Sequence, residues 1–283
     1  MLDAVVSSKY NRKKIAWSIV KYAILIAVVL IVVIPILGIL FGSLKGYNEF
    51  RDTSVIAFPR QLYFGNYVKA FVEGKMLIGF GNTALILAAS LVLAIATGTM
   101  TAYALDRFDF KGKVIIKNLF LLAALIPSIT IQVMTYRVAI AFRLVDLRLA
   151  PILLFGGTDI ITVYIFLQFF KNISKSIDES AKIDGANGYI IFFRIILPLL
   201  MPAIATVLII KFVGIYNEFY IPLIYIPDVH MVSTALYNFN TVFGTDWEVI
   251  CAGQIIVIIP MLVIFLTLQK YIYSGLTSGS IKE

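Results

Sequence analysis

The sequence predicts an all-α, polytopic membrane protein with six transmembrane helices. Three observations carry that class. Of 283 residues, 60% are hydrophobic and only 14% charged, whereas soluble domains carry roughly a quarter charged residues. No soluble core hides that much apolar surface, so most of it must meet lipid. Six stretches approach the length of about 20 apolar residues that crosses a bilayer. Finally, Lys and Arg collect on alternate connecting segments, which is the positive-inside bias of membrane proteins.

The first span runs from about Ile15 to Ser43, behind the basic residues Lys9, Arg12, Lys13 and Lys14, with Lys21 able to snorkel to the interface. Its apolar run exceeds the roughly 7–15 residues of a signal-peptide core and lacks a small-residue cleavage site, so it reads as a retained anchor. The second span covers about Asn82 to Leu105 and the third about Val114 to Thr135. The fourth, about Leu149 to Phe170, is interrupted by Gly156, Gly157 and Asp159. The fifth runs from about Leu197 to Tyr225 and the sixth from about Val249 to Tyr271. Residues 1–283 read as one transmembrane domain.

With the N-terminus inside, cytoplasmic segments hold Arg107, Lys111, Lys113 and Lys117, then Lys171, Lys175, Lys182 and Arg194. The last outer segment, Ile226 to Glu248, has no Lys or Arg. This bias and the even span number place both termini in the cytoplasm. The net charge of +8 belongs to it. No basic, aromatic-interleaved patch asks for nucleic acid, and the expected surroundings are membrane lipid.

Little in the chain suggests catalysis. The lone Cys251 allows no internal disulfide, and the lone His230 has no second His or Cys to form a metal site. Gly112–Lys113 lacks the upstream Gly and following Ser or Thr of a phosphate-binding loop. The chain is therefore expected to bind no ATP, metal or other cofactor itself, and to be no enzyme.

The most informative stretch is the inner loop, about 171–196. Ser176 and Glu179 have capping-box spacing, which predicts a helix starting near Ile177. Asp184–Gly185 is a stop signal, because Gly tolerates the left-handed conformation at a helix end. A short surface helix should then turn sharply into a second helix. Pro198 and Pro202 fall in the first turns of the fifth span, where missing amide donors cost little.

Glu179-Ser-Ala-Lys-Ile-Asp-Gly-Ala186, followed by Leu197-Pro198 and Pro202, resembles the EAA loop of ABC-importer permeases, in the carbohydrate, maltose-type branch. Glu179, Ala181, Asp184, Gly185 and Ala186 match that pattern, and Ser180 replaces the usual Ala. The resemblance implies a type I ABC-importer permease fold in a bacterial cytoplasmic membrane, with this loop as the coupling helix that docks on an ATPase. Tyr216-Asn217-Glu218-Phe219, followed by Pro222-Leu223, is similar to the Trp-Asn-Asp/Glu-Phe…Pro-Leu run of sugar permeases. The tail with Gly275, Ser278, Gly279 and Lys282 is similar to the maltose-type tail that reaches between the ATPase subunits. Implied partners are a second, different permease chain, two ATPase subunits carrying ATP and Mg, and an extracytoplasmic sugar-binding protein.

Asp159, Lys211 and Glu218 are ionisable groups inside predicted spans, where charge is costly and faces protein or water. Lys211 and Glu218, seven apart, share one helical face. Tyr216, Asn217 and Glu218 are therefore candidates for the translocation path. The last outer loop offers Tyr237, Asn238, Phe239 and Asn240, aromatic and amide groups suited to sugar and, by the resemblance, to contact with the binding protein. A secondary transporter driven by an ion gradient would also explain the intramembrane charges but not the cytoplasmic loop. A non-transport scaffold would explain the missing catalytic groups but not the Asn217–Phe219 run.

Overall fold

The computed structural model describes residues 2–241 and 244–278. Helix α1 is Leu2–Ser43, followed by the short α2 (Tyr47–Asp52) and α3 (Gly65–Glu73). Helix α4 is Met76–Arg107, α5 Lys113–Leu125 and α6 Ser128–Ala141. Next come α7 (Leu149–Gly156), α8 (Ile160–Phe170), α9 (Lys175–Ile183) and the one-turn α10 (Gly188–Ile190). A π-helical stretch, Ile191–Ile196, leads into α11 (Leu197–Leu199), α12 (Met201–Asn217) and α13 (Tyr220–Tyr225). After a 3-10 turn and a two-residue β-ladder pairing Asn240 with Thr245, α14 runs Trp247–Ser278.

Among the described residues, three helical stretches are long and apolar enough to cross a membrane: Trp17–Ser43, Met76–Arg107 and Trp247–Thr267. Three bent pairs pass the same test only together: α5 with α6 at 108°, α7 with α8 at 41°, and α10–α11 with α12 at 71°. Each bend has a local cause. At the first, Ile126 is extended (φ −83°, ψ 121°) ahead of Pro127, because a proline ring crowds the residue before it out of the helical region. At the second, Gly157 is extended and Asp159 starts a new helix. At the third, Leu200 leaves the helix between Pro198 and Pro202.

These breaks revise the expected spans. The third is not one straight helix, since Pro127 folds it back. The fifth ends at Asn217 instead of Tyr225, because Glu218 is extended (φ −72°, ψ 119°) and its carboxylate accepts from the first two amides of α13. The second begins at Met76, six residues before Asn82.

The chain divides into two compact units, Met1–Gly74 with Leu236–Ile259, and Lys75–Ala235 with Pro260–Glu283. In the first, every described side chain from Trp17 to Leu37 is exposed, as suits an apolar helix whose solvent is lipid. The end of α1 is held tightly. Asn66 Nδ2 donates to Ser43 O (2.9 Å) and Lys45 O (2.7 Å), and the fully buried Lys45 donates to Thr53 Oγ1 and Ser54 O. The second unit holds the main core. Ala102 and Leu105 of α4, Val163, Phe166 and Phe170 of α8, Ala181 of α9, Ile191 and Ile196 of the π stretch, and Ala203 and Val207 of α12 are all buried together.

Candidate functional site

The segment at about 171–196 contains a capped surface helix. Ser174, not Ser176, is the N-cap: its Oγ accepts from the Ser176 N–H at 3.3 Å and its hydroxyl pairs with Ser176 Oγ at 2.8 Å. The cap thus lies two residues before the predicted one, the Ser176–Glu179 box does not form, and Glu179 lies exposed. The C-terminus closes as its residues foretell. Gly185 has φ +84°; its N–H donates to Lys182 O at 3.0 Å, and the Ala186 N–H donates to Ala181 O at 2.9 Å. Those two bonds are a Schellman turn, and the accompanying apolar contact is present: Ala186 packs on the cluster that buries Ala181. Glu179, Ser180, Asp184 and Gly185 face solvent. Asn187 then caps α10 by accepting from the Ile190 N–H.

Arg107, which entered the sequence reading only as a cytoplasmic positive charge, anchors this helix. Its guanidinium side chain is 6% exposed. Nη1 donates to Asp106 Oδ2 at 2.9 Å and Nη2 to Ile173 O at 3.0 Å. Nε lies 3.0 Å from Asp178 Oδ2, an ion pair whose N–H is not aligned as a hydrogen bond. The ring of Phe170 sits 5.4 Å from the guanidinium carbon. Asp178 also accepts from Tyr103 OH at 3.2 Å. A basic residue closing α4 and an acidic one opening α9 were the sequence signals for this pair. Nothing in sequence spacing joins positions so far apart.

Two of the three charges expected inside spans also meet. Lys211 Nζ lies 2.6 Å from Asp159 Oδ2 and donates to Phe155 O at 3.1 Å. Asp159 caps α8 as well, accepting from the Thr162 N–H and hydroxyl. Glu218, on the same face as Lys211, instead accepts from the Tyr220 and Ile221 N–H groups. All three line a cavity of about 460 Å³ with Gln132 and Tyr220. Asn217 turns its amide back to Val213 O, and Tyr216 is buried, its ring stacked on Phe212. The expected path residues are thus divided: Glu218 faces the cavity, while Tyr216 and Asn217 are not among its lining residues.

Between α13 and α14, Tyr237 is 54% exposed whereas Phe239 is buried, its ring against Gly74. The side chains of Asn238 and Asn240 lie outside the described residues, as do Gly279 and Lys282 of the tail; Gly275 and Ser278 fall within α14. No group of three His, Cys, Asp or Glu able to hold a metal occurs among the described residues.

Residues 94–278 match the family described as binding-protein-dependent transport system inner membrane component. The chain belongs to that family. The matched region contains the Arg107 anchor, the capped surface helix and the charged cavity. Among relatives, the galactooligosaccharides transport system permease protein of Bacillus subtilis (strain 168) is 32% identical over 268 residues, covering 92% of this chain and 94% of that protein. The arabinooligosaccharides transport system permease protein of Halalkalibacterium halodurans is 30% identical, covering 89% of this chain and 92% of that protein. The fold of this inner-membrane component is that of a chain in a bacterial ABC transporter involved in import of the acidic polysaccharide alginate. Its TM-score is 0.75 at 21% identity, over 90% of this chain and 96% of that one.

Proposed function

We propose that the chain is a membrane-spanning subunit of an ATP-driven importer, translocating a sugar or oligosaccharide delivered by an extracytoplasmic binding protein. One observation carries the reading: a family member presents a short, doubly capped surface helix, α9, fixed to the ends of α4 and α8. A rigid helix transmits a push that a loose loop would absorb. The relatives' names, which assign them to oligosaccharide transport, support the substrate class. On this reading each bent helix pair is one span, giving six, with both termini cytoplasmic in a bacterial inner membrane.

The exposed Glu179, Ser180, Asp184 and Gly185 then form the docking face for a partner ATPase, which holds ATP and Mg, while Ala181 and Ala186 seat the helix on its own core. The tail residues Gly275, Ser278, Gly279 and Lys282 reach toward the ATPase pair, and Tyr237 to Asn240 meet the binding protein. Closure of two ATPase subunits on nucleotide displaces α9 and biases the permease pair between inward- and outward-open states. The chain is paired with a second, different permease chain. The cavity of Asp159, Lys211 and Glu218 offers polar groups in the membrane interior, where sugar hydroxyls need hydrogen-bond partners.

The test is purification from the native membrane in mild detergent, followed by reconstitution into vesicles. Recovery of an ATPase and a second permease, with ATP-dependent uptake of galactotriose, arabinotriose or raffinose, is the expected result. Recovery of the chain alone, active with an ion gradient and no ATP, would overturn the reading in favour of a secondary transporter.

A further inference from the structure

We propose that Arg107 is a positioning residue that makes α9 a rigid extension of α4 and α8, so that displacement of α9 passes into the membrane helices and is not absorbed in residues 171–174. The proposal rests on the importer reading and adds to it a residue outside the docking loop. Its basis is the convergence on one side chain. Arg107 ends α4, stacks on Phe170 at the end of α8, donates to Ile173 O in the connection, and pairs with Asp178 in the first turn of α9. It thereby joins α9 to α4, to α8 and to the connection between α8 and α9.

Stability alone is a poor reason for the arrangement. Side-chain exposure is 6% for Arg107 and 8% for Asp178, and desolvating such a pair offsets much of its attraction. What a buried pair provides is geometric definition: each misaligned arrangement leaves an unpaired charge out of water, which is costly. A guanidinium suits the task because its planar fork reaches several acceptors at once, whereas an ammonium is a single point charge. Here two acceptors, Asp106 and Ile173 O, take hydrogen bonds from the fork, and Asp178 is held as an ion pair. The connection itself is poorly suited to carry force. Lys171, Asn172 and Ser174 are exposed, and Ile173 is only partly buried. Without the anchor, α9 keeps Ala181 as its one other buried side chain.

The experiment places nitroxide labels at Val92, exposed on α4, and Lys175, exposed at the start of α9. Cys251 is replaced by Ser. The full chain is purified from its native membrane with the ATPase that accompanies it. Electron–electron distances are measured without nucleotide and with Mg-ATP plus vanadate. The expected result is one narrow distance in both states for the wild type and for Tyr103→Phe, which removes only the outermost bond. Asp178→Asn and Arg107→Lys, the latter keeping the charge but not the fork, should add a second, longer distance with Mg-ATP and vanadate. Variants as narrow as the wild type, a wild type that itself splits with nucleotide, or variants lost from the membrane altogether would each overturn the proposal. An absent ATPase alongside a narrow wild-type distance would sink the importer reading instead.

Discussion

Gly185 adopts φ +84° with nothing within 4 Å of where a Cβ would stand, so the requirement for glycine there is purely conformational. Gly185→Ala should weaken the turn by about 1 kcal/mol, the cost of a left-handed L-residue, and reduce recovery of the partner ATPase without lowering the amount of chain in the membrane. Quantitative co-purification checks both. The pair formed by Lys211 and Asp159 behaves differently. Lys211→Met leaves Asp159 with only Thr162 and should cost about 1–2 kcal/mol, less than for a fully buried pair, because Asp159 is 34% exposed to the cavity. Adding Asp159→Asn should restore part of the loss, since the orphaned charge is then gone; thermal unfolding followed by circular dichroism reads both steps. All three ionisable groups were legible as unusual from their place in apolar runs. Their pairing was not, because helical spacing relates Lys211 to Glu218 while Asp159 belongs to another helix.

At the scale of elements, α4 and α8 cross at Gly98, where a Cβ would overlap Thr162 Cγ2 and stand 3.2 Å from Phe166 Cε2. Membrane helices favour small residues at such crossings because backbones can then approach closely. Gly98→Ala should therefore push the helices apart and destabilise the second unit by about 1–3 kcal/mol, again measured by thermal unfolding. Breaks set by a residue's own conformational preference were readable: Gly156, Gly157 and Asp159 do separate α7 from α8, and Asp184–Gly185 does end α9. The bend at Pro127 was missed because its apolar flanks give continuous hydropathy, and a proline in a membrane helix is often tolerated. The N-cap was misplaced because Ser174 and Ser176 both carry a competent hydroxyl, and only the direction of the incoming chain chooses between them.

For the whole molecule, composition settled the helical class, since lipid leaves few other ways to satisfy a backbone. What it left open is how the polar segments fold. Asn66 supplies one answer, bridging two carbonyls just beyond α1; Asn66→Ala strands both and should cost the first unit about 2 kcal/mol, read as earlier protease cleavage between residues 44 and 66. The π-helical stretch Ile191–Ile196 has a different bearing. Ile191 and Ile196, five apart, are both buried, a spacing that a regular α-helix would turn onto different faces. Deleting one residue there would remove the bulge and leave regular helix with the flanking faces nearly in place, whereas a deletion within regular α12 would swing everything before it by roughly 100° about the axis. At this point a codon gained or lost would be absorbed locally, and α9 would keep its direction on the core.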